Sequence, residues 1–246
     1  MVYCDSRNET KGYPVAKKQF FLVVDSETTI YDHVADFGAA VVDRKGEIHS
    51  QCAVMVADFF GVESLFYDRN ASGLWAQSSV AKREAGYRAM LDSGARIMAS
   101  VNAINRWLEK VAGRYNPELT AYNLAFDADK CAKSGIDLNM FSRRFCLWHA
   151  AVGNICNSRK YREFILQNHR FNTVTDLGNM SFQTNAEVVT GFINGQITDE
   201  PHTALEDVIG WELPILKAIV SKKNWRDNIK PYNWRDFQVK DNFKAG

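Results

Sequence analysis

No stretch of this 246-residue sequence is apolar over the length needed to cross a bilayer, and its start has no basic region leading into an apolar run. A membrane span and a secretory leader are therefore not expected. Five cysteines occur, Cys4, Cys52, Cys131, Cys146 and Cys156. An odd number with no CxxC pair argues against a disulfide framework and against structural zinc. Unpaired thiols in a reducing cytoplasm are the better expectation. There is no low-complexity tract and no repeat array; Asn224-Trp-Arg-Asp227 recurs as Asn233-Trp-Arg-Asp236, too short to build one. Strong charge of either sign is lacking as well. The net +1 is unevenly spread, however, with seven Lys/Arg against three Asp after residue 220, or +4, leaving −3 for the rest.

What remains is an ordinary globular composition, 46% hydrophobic and 24% charged. The length suits one α/β domain, expected over residues 20–221. Residues 1–19 read as a loose N-terminal arm, and residues 222–246 as a basic and aromatic C-terminal tail.

Phe20-Phe-Leu-Val-Val24 is a compact apolar run ending at Asp25, the pattern of a buried central strand. Val34 to Val42 and Glu47 to Val56 read as two more strands, joined by a turn with Gly46 placed for positive φ. From Ser93 to Tyr115 the apolar residues fall at helical spacing. Leu119 to Tyr122 is a short strand, and Phe126 to Lys133 a helix closed by Gly135. Glu187 to Ile193 suits a helix ending near Gly195. Thr203-x-x-Glu206 has the form of a capping box opening a last helix that runs to about Val220. Pro214 inside it predicts a kink, because it removes the bond to the Gly210 carbonyl. The sum is an α/β fold whose mixed sheet has three antiparallel strands first.

The chemistry lies at the ends of these elements. Asp25 and Glu27, two apart on a strand, project to one side. Like charges that close raise each other's pKa unless a cation sits between them, and all-oxygen donors favour Mg²⁺ or Mn²⁺. Asp127 opens a mid-chain helix, and His202 precedes the last helix with Asp207 in its first turn. Each piece alone has an ordinary reading: a solvated strand end, an acid favoured by a helix dipole, an exposed capping loop. Their order along the chain is more specific.

In that order they resemble the DEDD exonucleases, the DnaQ-like or RNase T-like group of the RNase H-like fold. Val24-Asp-Ser-Glu-Thr-Thr29 resembles that family's first motif, Asn123-Leu-Ala-Phe-Asp127 the second, and His202-Thr-Ala-Leu-Glu-Asp207 the third. Asp36-Phe-Gly-Ala-Ala-Val-Val42 is similar to its second strand. A histidine five residues before the last Asp marks the DEDDh type. The sequence departs from the pattern at Ile30, where many relatives have Gly, and at Asp36, where many have Glu.

The resemblance implies an RNase H-like five-stranded sheet, three antiparallel strands then parallel ones, flanked by helices. It also implies two-metal hydrolysis of phosphodiesters from a 3′ end, releasing nucleoside 5′-monophosphates. Asp25, Glu27, Asp127 and Asp207 would hold two Mg²⁺ (or Mn²⁺), with Asp25 bridging, Glu27 and Asp207 on the water-activating ion and Asp127 on the second. His202 would be the general base, swinging in with substrate. Thr28, Thr29 and Asn123 are candidates to cradle the terminal nucleotide by analogy, whereas Phe126 is expected in the core. The partner is nucleic acid, DNA favoured over RNA. An exoribonuclease of the same family, or a non-catalytic nucleic-acid-binding module that kept the fold, are the alternatives. The aromatics of the C-terminal segment, set among Lys and Arg, suit either single-strand stacking or packing back on the domain, and packing back is favoured. His33, His49, His149 and His169 are read as structural.

Overall fold

The strand that begins at Phe20 alternates its side chains between two apolar environments, and this places it inside the sheet rather than at an edge. In this computed structural model, which describes residues 18–66, 74–174 and 178–239 (backbone alone for 74–79), β1 is Phe20–Thr28. Phe21 and Val23 enter one hydrophobic cluster, Leu22 and Val24 the other. Burial on both faces explains why the sequence is apolar without interruption there. The strand continues past Val24, so Asp25 and Glu27 are themselves strand residues.

β2 (Val34–Asp43) pairs antiparallel with β1, Glu27 opposite Asp36, and is buried throughout. β3 (Ile48–Val56) pairs antiparallel with β2 across the turn at Gly46, whose φ is 83°. β4 (Ile97–Ala99) and β5 (Glu118–Thr120) lie at opposite edges, parallel to β3 and β1. The order is β4-β3-β2-β1-β5, a five-stranded mixed sheet. Beyond β5, residues 143–146 run alongside: Leu119 bridges Arg144 in parallel, and Phe145 N–H donates to the Leu119 carbonyl.

Helices cover both faces. On one, α2 (Val101–Tyr115) and α3 (Leu124–Lys133) bury Ile104, Leu108, Val111, Leu124 and Cys131 against Leu22 and Val24. On the other lie α4 (Leu147–Ala151), α5 (Arg159–Gln167), α6 (Ala186–Asn194), α7 (Ala204–Asp207) and α8 (Leu213–Val220). A hairpin of β6 (Phe171–Thr173) and β7 (Met180–Phe182) borders that side. No described helix is long and apolar enough to cross a membrane.

Three expectations change. The helix read from Ser93 begins only at Val101. Ser100 caps it by accepting from Ala103 N–H, and Ile97–Ala99 before it is an edge strand whose Ile97 and Met98 are exposed. A long helix between β3 and β4, α1 (Leu74–Asp92), was not anticipated, because its apolar residues follow no single stripe. The closing helix is α-helical only over α7 and α8, with a π-helix at Val208–Glu212 between them. Pro214 sits in the first turn of α8, so the proline is accommodated by widening the turn ahead of it. The C-terminal segment, for which packing back was the favoured expectation, is folded onto the domain as far as it is described. Trp225 is 3% exposed and stacks edge-on to Phe21, and Phe237 is buried in the same cluster. The expected arm over 1–17 and the last residues, 240–246, lie outside the described residues, as does Cys4.

Candidate metal centre

Alternation along β1 sends the acids and the serine between them to opposite sides of the sheet. Asp25 and Glu27 share the side of Phe21 and Val23, which α7 and the π-helix cover. Ser26 points to the α3 side, where its hydroxyl donates to Asp127 Oδ1 at 2.8 Å. Helix-borne acids thus approach the end of β1 from both faces. The ligand atoms of Glu27, His202 and Asp207 lie within 4.8 Å of one another. Asp25 and Asp127 are outside that group, yet the Asp127 charge is felt at Asp25 and Glu27, and Asp25 feels Glu27 and Asp207 as well.

The start of α7 is fixed by residues far away in sequence. Asp36 Oδ2 accepts from Ala204 N–H at 2.9 Å, and Asp207 Oδ2 from Thr203 N–H at 3.1 Å. Arg96, 2% exposed, donates to Asp36 Oδ1 and to Glu206. The Tyr87 hydroxyl donates to the His202 carbonyl at 3.2 Å. Gly38 passes so close that a Cβ there would sit 2.3 Å from Ala204 C and Leu205 N. The expected capping box is not made: Thr203 forms no side-chain cap bond, because Arg96 takes Glu206 and Asp36 serves the helix donors instead. His202 itself has φ 55°, in the left-handed region that a β-carbon disfavours.

Crowding of these acids makes their charged forms costly. Burial first, then Asp127, Glu212, Glu27 and Asp207, push the Asp25 carboxyl well above its usual range. Glu27 is raised to about 7 by burial, against the opposing charge of Arg83. Asp127 is raised to about 7 by burial, opposed by the Ser26 bond. Burial, Glu200 and Glu27 take Asp207 to about 8. His202, an exposed residue, is lowered first by partial desolvation and then by the Arg83 charge, which favours its neutral ring at pH 7.

These shifts ask for a cation, and the donors fit a divalent one. Asp207 Oδ1 and Glu212 Oε2 are buried with no hydrogen-bond partner, and such orphaned oxygens are costly unless something positive meets them. The carboxylate oxygens gathered here suit Mg²⁺ or Mn²⁺ better than a thiolate-preferring ion. A second group, Asp43, Glu47 and His49, also brings ligand atoms within 4.8 Å, which the expectation of a purely structural His49 did not foresee. Lys18 already occupies it, with Nζ 2.8 Å from Asp43 Oδ2.

Among the expected nucleotide contacts, Thr28 and Thr29 are buried, and the Thr29 hydroxyl is engaged by Glu63 and by the Tyr31 and His33 N–H groups. Asn123 is exposed and makes no side-chain cap bond. Phe126, expected in the core, is 44% exposed beside Asp127, with the Lys130 ammonium 4.9 Å from its ring. A first-turn residue on the solvent side of α3 has no apolar neighbour to bury against. Sequence reasoning missed Ser26, Arg83, Glu200 and Glu212. Ser26 carried a readable signal, since an i+1 residue between two strand acids must face the other layer. No family model matches the chain, and no curated protein matches it.

Proposed function

We propose that this protein is a metal-dependent 3′–5′ exonuclease of the DEDDh type that hydrolyses nucleic acid, DNA in preference to RNA, to nucleoside 5′-monophosphates. The observation that carries the reading is the meeting of Glu27, His202 and Asp207 within ligand distance at the end of β1, with Asp25 and Asp127 alongside. The order β3-β2-β1-β5, continued by residues 143–146, supports an RNase H-like arrangement. Unpaired Cys52, Cys131, Cys146 and Cys156 accord with a cytoplasmic setting.

Asp25, Glu27, Asp127 and Asp207 would hold two Mg²⁺ or Mn²⁺. Bound divalent cations supply Lewis-acid activation of water and neutralise charge on the phosphate and the departing 3′-oxygen. His202, neutral at working pH and exposed to solvent, accepts the proton of the attacking water at a ring nitrogen. The Tyr87 bond to its carbonyl and its left-handed backbone fix where the ring starts from. Asn123 and the exposed ring of Phe126 lie next to Asp127, where a terminal nucleotide would rest.

The test is digestion of 5′-labelled single- and double-stranded DNA and RNA with Mg²⁺ or Mn²⁺, beside EDTA and Asp25→Asn. The expected result is a ladder shortening from the 3′ end, abolished by EDTA and slowed about a thousandfold by Asp25→Asn, equivalent to roughly 4 kcal/mol of transition-state stabilisation. Faster loss of RNA would assign an exoribonuclease. No cleavage of any of the four overturns the reading.

A further inference from the structure

The chain carries a fifth acid at this site. Glu212 is 3% exposed, and its Oε1 accepts from the Tyr122 N–H at 3.0 Å. Its Oε2 is buried without a partner. The charges felt there come from Asp127, Glu200 and Asp207, and Glu212 in turn raises Asp25. Glu212 ends the π-turn that follows Asp207 and is bonded to the residue ahead of Asn123 and α3, so the carboxyl sits between the elements that carry Asp207 and Asp127.

Periodicity alone would not put it there. Glu212 follows Asp207 by five residues, which in an α-helix of 3.6 residues per turn is a rotation of roughly 140° to a different face. The π-helix at Val208–Glu212 has the wider i→i+5 turn and returns both acids to one side. That wider turn is the one that precedes Pro214, so the proline and the placement of Glu212 belong to one backbone device.

A capping role does not account for the charge. Glutamine would accept from Tyr122 N–H equally well, with no buried carboxylate to desolvate among like charges. A cation between Glu212 and its neighbours offsets that cost. We infer that Glu212 is a further metal-ligating carboxylate of this centre, reaching it from between the elements that carry Asp127 and Asp207. This rests on the metal-centre reading above. Its Oε1 is tied to the residue before Asn123, so the same side chain sets the start of α3, which carries Asp127, against the metal.

The experiment is titration of the full chain with Mn²⁺, following free Mn²⁺ by electron paramagnetic resonance, for wild type and Glu212→Gln. The expected result is two sites in wild type, of which Glu212→Gln weakens one by roughly 10–100-fold and leaves the other unchanged. Without metal, Glu212→Gln should melt at or above wild type, since a buried charge is gone. Two Mn²⁺ sites of wild-type affinity in Glu212→Gln reduce Glu212 to a cap on Tyr122 and overturn the inference alone. No Mn²⁺ binding by wild type overturns it together with the metal centre. Should Glu212→Gln melt far below wild type, Glu212→Asp, which keeps the charge, takes the same titration. Affinity above that of the glutamine variant supports ligation, and equal affinity overturns it.

Discussion

The Arg83 guanidinium lies 3.8 Å from Glu27 Oε2, a cation reaching from α1 into a ring of carboxylates. It is also the charge that most lowers His202 after desolvation. Removing a positive neighbour makes protonation easier, so Arg83→Ala should raise the His202 pKa. The rise should be read by NMR titration of the imidazole resonance in metal-free protein, and the acid limb of the activity profile should move to higher pH with it. A His202 titration identical to wild type would remove Arg83 from the site.

Ser26 gives Asp127 its one buried side-chain hydrogen bond from β1. Ser26→Ala should therefore cost about 1–2 kcal/mol, seen as a melting point lower by roughly 2–8 °C. Ser26→Thr, if it keeps the donor, should recover part of that loss. An alanine variant that melts like wild type would show the bond to be dispensable.

Gly38 has no room for a Cβ against the backbone of Ala204 and Leu205. Gly38→Ala must push α7 off the sheet, at about 1–3 kcal/mol, and displace Asp207 and His202 with it. Mn²⁺ affinity and nuclease rate should fall further than stability does. Gly86→Ala, on α1 where a Cβ meets nothing within 4 Å, serves as the control and should stabilise by up to about 1 kcal/mol. If the two variants behave alike, the close approach has no consequence.

Metal-free protein should become less stable as pH rises. Glu27 and Asp127 titrate at about 7 and Asp207 at about 8 when folded, whereas unfolded carboxyls release their protons near ~4. Between those values the folded state holds more protons than the unfolded one, so stability falls with pH. Melting in EDTA should drop from about pH 5 to about pH 8, by about 5 °C or more, and Mg²⁺ should restore far more at the upper end, where it displaces fewer protons. A melting point that climbs over this range in EDTA would contradict the sign.

Much of this architecture was legible because it is written in short windows. The apolar run of β1, the Gly46 turn, and acids at Asp25, Glu27, Asp127 and Asp207 each need fewer than ten residues to read. What escaped depends on distant partners. Ile97–Ala99 has helical spacing but finds a strand edge at Val54–Val56, so tertiary pairing wins. Thr203 and Glu206 have the spacing of a capping box, yet buried Arg96 outcompetes the cap. Phe126 reads as core until α3 is seen to turn that face outward. Glu212 is hidden because sequence periodicity assumes a regular helix, and the π-turn breaks that assumption.

The bond from Ala204 N–H to Asp36 joins residues 168 positions apart, and Arg96 joins positions 36 and 206 through a third segment. A chain still assembling has neither contact, because each must wait for the loop between its partners to close. The first turn of α7 therefore has its donors satisfied only after the central sheet has formed. A refolding time course should show strand signal first and Mn²⁺ binding last, with no partly folded species able to hold metal and cut nucleic acid before the fold is complete.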